Sequence, residues 1–379
     1  MDLSRVLQQF AVGRPHVLVV PVVGGTAARL EVEAELARRG WPPATTPADA
    51  DVLVVAGVPG RAMTAVIGTV WRQVPAPRAW ARVATPDMAR RGLDTALAAL
   101  RDPNGAPDAR GPGGGEHGDR RGEQSAATPG PDARPGGHTG HTDHGPHAHH
   151  GGHGGGLALP GGLAMADLGE DRDGLALDRL HVPLGPVLPD WPAGLVLRVV
   201  LQGDVVQQAE VEVLAADQAV DRPFWHGPDE RRLASRELDA LGRLLSVAGW
   251  PDAALRARRL RDDLLAGVPA DRLIAAAATL ERRVRRSRTL RWLLRGIDAG
   301  GVEVSTWLER RFDVVSAALA RLVDPALPRP NPAPPVDPAQ LPDLLIGLEL
   351  AAARLVVAAL DPDTDAVRAP ANGEARHAG

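Results

Sequence analysis

The sequence predicts two folded parts of different class, an α/β unit followed by an α+β part, joined by a disordered Gly/His-rich linker. Three observations predict this. Two apolar runs near the N-terminus each end in a glycine turn that leads into a helical stretch. The composition changes abruptly between Arg101 and Pro160, where Gly, Pro, Asp and His replace large apolar residues. Beyond that, a hairpin pattern is followed by long stretches of helical periodicity. The divisions fall at residues 1–100, 101–160 and 161–379.

In the first part, Val17 to Val23 is a β-branched run of the kind that fills a buried parallel strand. Gly24-Gly25-Thr26 follows, then a helix from Ala27 to Arg39 stopped by Gly40 and Pro42. Asp51 to Ala56 is a second buried strand, Ala62 to Gln73 a second helix, and Ala79 to Val83 a third strand. Strand, glycine turn and helix in repetition predict a doubly wound sheet. The linker lacks the apolar surface to offset its ordering entropy. As a flexible coil of about 60 residues it would span on the order of 40 Å.

In the last part, Leu195 to Leu201 and Val205 to Val213 flank Gln202-Gly203-Asp204, a hairpin signal. Helices are expected over Arg231 to Ala248, from Pro251 to Ala266, over Ala270 to Arg295, and over Val304 to Val323. A proline-rich break from Pro325 to Pro338 precedes a helix from Leu341 to Ala353, and the tail after Asp361 reads as loose.

Composition excludes several classes of function. The 379 residues contain no cysteine, which removes disulfides, cysteine-ligated zinc or iron–sulfur clusters and a thiol nucleophile. All 43 basic residues are arginine, and a net charge of −4 argues against a general nucleic-acid binder. The opening residues lack a signal-peptide pattern, and Leu350 to Leu360 is too short to span a bilayer. A cytoplasmic protein, peripheral on the inner face of the plasma membrane, is expected.

Four features carry candidate chemistry. The Gly24-Gly25-Thr26 turn offers backbone N–H groups to an anion but lacks the spacing of a nucleotide fingerprint, so it reads as a tight turn. His138, His141, His144, His147, His149, His150 and His153 form a tract whose neutral imidazoles could hold Ni²⁺ or Zn²⁺. The competing reading is a solvated linker. The stretch from Glu281 to Arg295 carries seven arginines and one glutamate and could dock on nucleic acid, anionic lipid or an acidic partner; an intramolecular or subunit interface is favoured over nucleic acid. His16, His181 and His226 are scattered, and no Ser–His–Asp arrangement emerges.

Two sets of words carry a resemblance. Gly24-Gly25-Thr26-Ala27-Ala28-Arg29-Leu30-Glu31, then Ala50 to Gly57, then Val74-Pro75-Ala76-Pro77-Arg78 resemble the small, cluster-bearing subunit of respiratory complex I and membrane-bound [NiFe] hydrogenases. Val182-Pro183-Leu184-Gly185-Pro186, Gln202-Gly203-Asp204-Val205-Val206, Leu341 to Gly347 and Ala359-Leu360-Asp361-Pro362 resemble the large subunit of the same assemblies. The resemblance implies a flavodoxin-like N-terminal unit and a reduced large-subunit fold. It also implies that the ligands are gone: the family's first cysteine pair falls at Gly25 and Ala28, its quinone-site histidine at Leu188, and its nickel-binding cysteines at Asp363 and Ala366.

The expected function is therefore a non-catalytic, cluster-less structural or regulatory subunit of a complex I-like or hydrogenase-like membrane assembly. No iron–sulfur or NiFe centre is expected, and membrane subunits of that assembly would be its partners. A nickel- or zinc-handling accessory protein acting through the His tract is the alternative. A residual quinone-linked oxidoreductase is disfavoured by the missing cysteines.

Overall fold

A computed structural model describes residues 13–101, 111–112, 167–170, 176–217, 220 and 222–367. The His tract and nearly all of the expected linker lie outside the described residues.

The N-terminal unit is built on a parallel sheet of β1 (Val17–Pro21), β2 (Val52–Ala56) and β3 (Ala79–Val83), in that order. All five residues of β2 are buried, as expected of a central strand covered on both faces. Val52, Val54 and Ala56 face α1 (Thr26–Arg39) and α3 (Ala89–Arg101), whereas Leu53 and Val55 face α2 (Arg61–Gln73). Beyond β1, a single parallel bridge joins Val17 to Pro43. After α1 the chain thus first meets the sheet at its outer edge and then crosses to β2. The order reverses at β1, so the C-terminal end of β1, where Gly24-Gly25-Thr26 lies, is a topological switch point.

The C-terminal part opens on an antiparallel sheet of β4 (Asp167–Glu170), β5 (Ala176–Leu184), β6 (Leu195–Gln202) and β7 (Val205–Val213). Gly203, with φ of 62°, makes the tight β6–β7 turn. Leu195, Leu197, Val199 and Leu201 pack against a bundle of α4 (Glu230–Val247), α5 (Pro251–Leu265), α6 (Ala270–Arg285), α7 (Arg288–Leu293), α8 (Val304–Val323), α9 (Leu341–Leu345) and α10 (Leu350–Leu360). Helix α4 is buried nearly all round and forms the bundle's centre.

Three expectations are corrected. The single helix over Ala270 to Arg295 is two, because the Ser287 hydroxyl accepts a hydrogen bond from the Leu290 amide and starts α7 anew. The single helix over Leu341 to Ala353 is broken at Gly347 (φ 83°), where the chain pairs with Val206 of β7 before α10 begins. The described part of the tail, residues 362–367, is not loose: Thr364 and Asp365 are buried against the N-terminal unit.

Candidate functional site

The two parts meet at the C-terminal edge of the parallel sheet, where α/β folds present helix N-termini to anionic ligands. Helices α1 and α2 begin there on Gly25 and Gly60, neither of which supplies a capping side chain, and neither helix has an acid in its first turn. Both caps come from the other part of the chain. The Asp365 carboxylate accepts from the Gly24 amide and from the Thr26 hydroxyl, each at 2.6 Å. The Asp217 carboxylate accepts from the Arg61 amide at 3.0 Å. A negative charge at a helix N-terminus is favourable in itself, so each contact joins the parts and stabilises a helix.

The turn is closed as well as capped. A Cβ on Gly25 would lie 2.1 Å from the Ala56 carbonyl oxygen, and Gly57 packs on its other side. A cysteine at this position, as the resemblance would place one, does not fit the backbone. Ala28 is buried against the sheet. The residues present therefore do not fit an iron–sulfur cluster.

Behind the turn lies a buried network of charges. Arg29 of α1 donates to Asp239 of α4 at 2.7 Å and to Glu33 at 2.9 Å. Arg261 of α5, with no exposed surface, donates to Asp239 at 2.5 Å and to Glu33 at 2.8 Å, and lies 2.7 Å from Asp262. Arg243 bonds Asp239 and reaches Asp361 at 2.9 Å. Arg258 bonds Asp190 at one side. Asp239 is the hub, bonded by three guanidiniums.

The network perturbs its acids in opposite directions. Burial pushes the Asp239 carboxyl up, but Arg243, Arg29 and Arg261 more than reverse this and hold it well below the usual range. Burial likewise works against ionised Glu33, yet Arg29 and Arg261 bring it down to about 2. Asp262 is the exception. Its burial outweighs the attraction of Arg261 and raises it to about 6. Asp363 is also raised, by burial and then by the neighbouring Asp365 carboxylate.

A cleft of about 410 Å³ opens beside the network, with Trp41, Trp191, Asp262 and Asp363 among its walls. Leu188, where the resemblance would place a quinone-site histidine, is half-buried in its lining, and its side chain offers no hydrogen bond. His226, one of the scattered histidines, places its Nε2 3.2 Å from an Asp363 carboxylate oxygen. Ala366, where the resemblance would place a nickel-binding cysteine, is exposed. His16 stays at the surface beside Asp51, and His181 lies on β5. Among the described residues, no three His, Asp or Glu side chains are grouped to hold a metal ion.

Sequence reasoning missed the network because its members lie far apart in the chain: Arg29 and Asp239 are separated by 210 positions, Glu33 and Arg261 by 228. One signal was present: Asp239 has Arg243 four positions on in α4, a spacing that pairs charges along one helix face.

No model of a known protein family matches the chain, and neither a curated protein nor a solved structure matches it.

Proposed function

We propose that the chain is a cluster-less structural subunit of a complex I-like or hydrogenase-like membrane assembly, holding a small-subunit-like and a large-subunit-like part in one docked unit. The observation that carries this reading is the plugged sheet edge. At the switch point, the position at which an α/β unit of this topology takes its ligand, two carboxylates of the same chain bind the helix N-termini and Gly25 leaves no room for a side chain. The edge order of Pro43, β1, β2 and β3, with helices on both faces, agrees with the flavodoxin-like unit implied by the resemblance. The place of redox ligands is taken by Gly25, Ala28, Leu188 and Asp363, none of which exchanges electrons or holds a cluster.

The test is affinity purification of the full chain from its native cell, with identification of partners and metal analysis. The expected result is recovery with antiporter-like membrane subunits and without stoichiometric iron or acid-labile sulfide. Recovery as a free monomer from both membranes and cytosol would overturn the proposal. Nickel or zinc at fixed stoichiometry, lost on deletion of residues 138–153 and accompanied by maturation factors, would replace it with the metal-handling reading.

A further inference from the structure

The arginine-rich segment around α7 is not absorbed by the docking of the two parts. Of its seven arginines, Arg283 pairs with Asp252, and Arg285 with Glu281 and Asp313. Arg282 reaches only the Thr279 hydroxyl, and Arg291 only a backbone carbonyl. Arg286, Arg288 and Arg295 have no ion-pair partner among the described residues, and all five of these side chains are exposed. Two of the seven arginines are thus ion-paired within the chain and five are not, among the described residues. The chain as a whole is acidic, with net charge −4, so this is a local concentration of one sign.

Helical geometry places a large apolar side chain at its centre. Leu290 and Leu294 anchor α7 to the bundle and are buried. The opposite face, at helical spacing, carries Arg288, Arg291, Trp292 and Arg295. Trp292 is 74% exposed, the most exposed large apolar side chain of the described residues, and Leu293 beside it is 37% exposed.

We propose that this face docks on an anionic phospholipid surface, with Trp292 at headgroup depth, Arg288, Arg291 and Arg295 on lipid phosphates, and the exposed Arg282 and Arg286 adding to the local positive charge. Three arguments select lipid. An exposed indole flanked by arginines suits the headgroup level, where one such side chain suffices as an anchor. A fluid anionic surface satisfies the guanidiniums of Arg288, Arg291 and Arg295 without requiring carboxylates at fixed positions, and each forks onto phosphate oxygens. A single tryptophan provides no platform for successive nucleic-acid bases. Among the described residues, no helix is long and apolar enough to cross a membrane, so this docking is at the surface. The proposal rests on the chemistry of this face and does not depend on the subunit reading, since bare vesicles contain no protein partner.

The test is flotation of the full chain with vesicles of phosphatidylcholine alone, or of phosphatidylcholine mixed with phosphatidylglycerol. It is run at about pH 8, so that the His tract is neutral. Binding to the mixed vesicles only is expected, weakening as salt rises. The combined variant Arg286→Gln, Arg288→Gln, Arg291→Gln, Arg295→Gln should lose several-hundred-fold in apparent affinity, at roughly fivefold per arginine. Trp292→Ala should lose roughly tenfold. All five side chains are exposed, so an unchanged thermal melt is the expected control for folding. Absence of wild-type binding to mixed vesicles overturns the proposal, as does wild-type binding by either variant.

Discussion

Replacing Asp262 by Asn is expected to stabilise the protein at neutral pH and to do so progressively less as the solution is acidified. Asp262 stands at about 6 in the folded protein against 3.8 for its ordinary value. A carboxyl raised on folding holds its proton more tightly in the folded state. Its contribution is therefore intact below about pH 3.8 and drains away as pH rises through about 6. At 1.36 kcal/mol per unit, the full cost of burying the ionised group is about 3 kcal/mol, reached near pH 8, with about 0.5 kcal/mol at pH 4. Asparagine keeps the volume and one acceptor for Arg261, and Arg261 retains Asp239 and Glu33. Urea unfolding of both proteins, followed by tryptophan emission at several pH values, measures the difference directly, and other titrating groups cancel in it. A difference independent of pH, or a wild-type protein more stable than the variant at pH 8, would refute the argument that burial outweighs Arg261 at this carboxyl.

Two further substitutions test the plugged edge. Asp365→Ala removes the acceptor of two 2.6 Å bonds and leaves the Gly24 amide and the Thr26 hydroxyl without a charged partner. A loss of about 2–3 kcal/mol is expected, read as a lower Tm and faster proteolysis between the parts, with partial rescue by Asn. Gly25→Ala puts a methyl 2.1 Å from the Ala56 carbonyl oxygen and should cost more than about 3 kcal/mol, so a thermal melt like that of the wild type would show that the turn is not closed.

The fold was legible where periodicity and punctuation agree. The sequence-based limits of α8 and β7 match the structure, because Val304 to Val323 keeps one apolar stripe and Gly203-Asp204 admits only a tight turn. The α6–α7 break was hidden because arginines and leucines continue in helical register through Ser287, and only the cap bond ends α6. Order in residues 361–367 could not be read locally. Asp365 is fixed by Gly24, 341 positions away, and an Asp-rich stretch after Leu360 carries no pattern that announces such a contact. Of the candidate site, Gly24-Gly25-Thr26 was legible as a tight turn between strand and helix. The charge network behind it was not, since a buried arginine and an exposed one look alike in sequence.

The chemistry of the interface bears on why it is ionic. An apolar contact of similar volume would hold the parts together at least as well, because taking Asp239, Arg243, Arg29 and Arg261 out of water costs nearly what their attraction returns. Register is the property that such a network adds. Asp239 bonds Arg29 only when α1 lies along α4 at one offset, and the same placement brings Asp365 to Thr26 and Asp217 to Arg61. A slide of one helical turn, about 5.4 Å, would part Arg29 from Asp239 and Arg261 from Glu33 and leave these buried charges under-paired. Breaking the hub with Asp239→Ala should be far more damaging than its replacement, together with Arg29, Glu33 and Arg261, by apolar residues of matching size, which leaves Arg243 on Asp361. If the fourfold apolar variant were as unstable as the single one, the ion pairs would themselves be what holds the parts together.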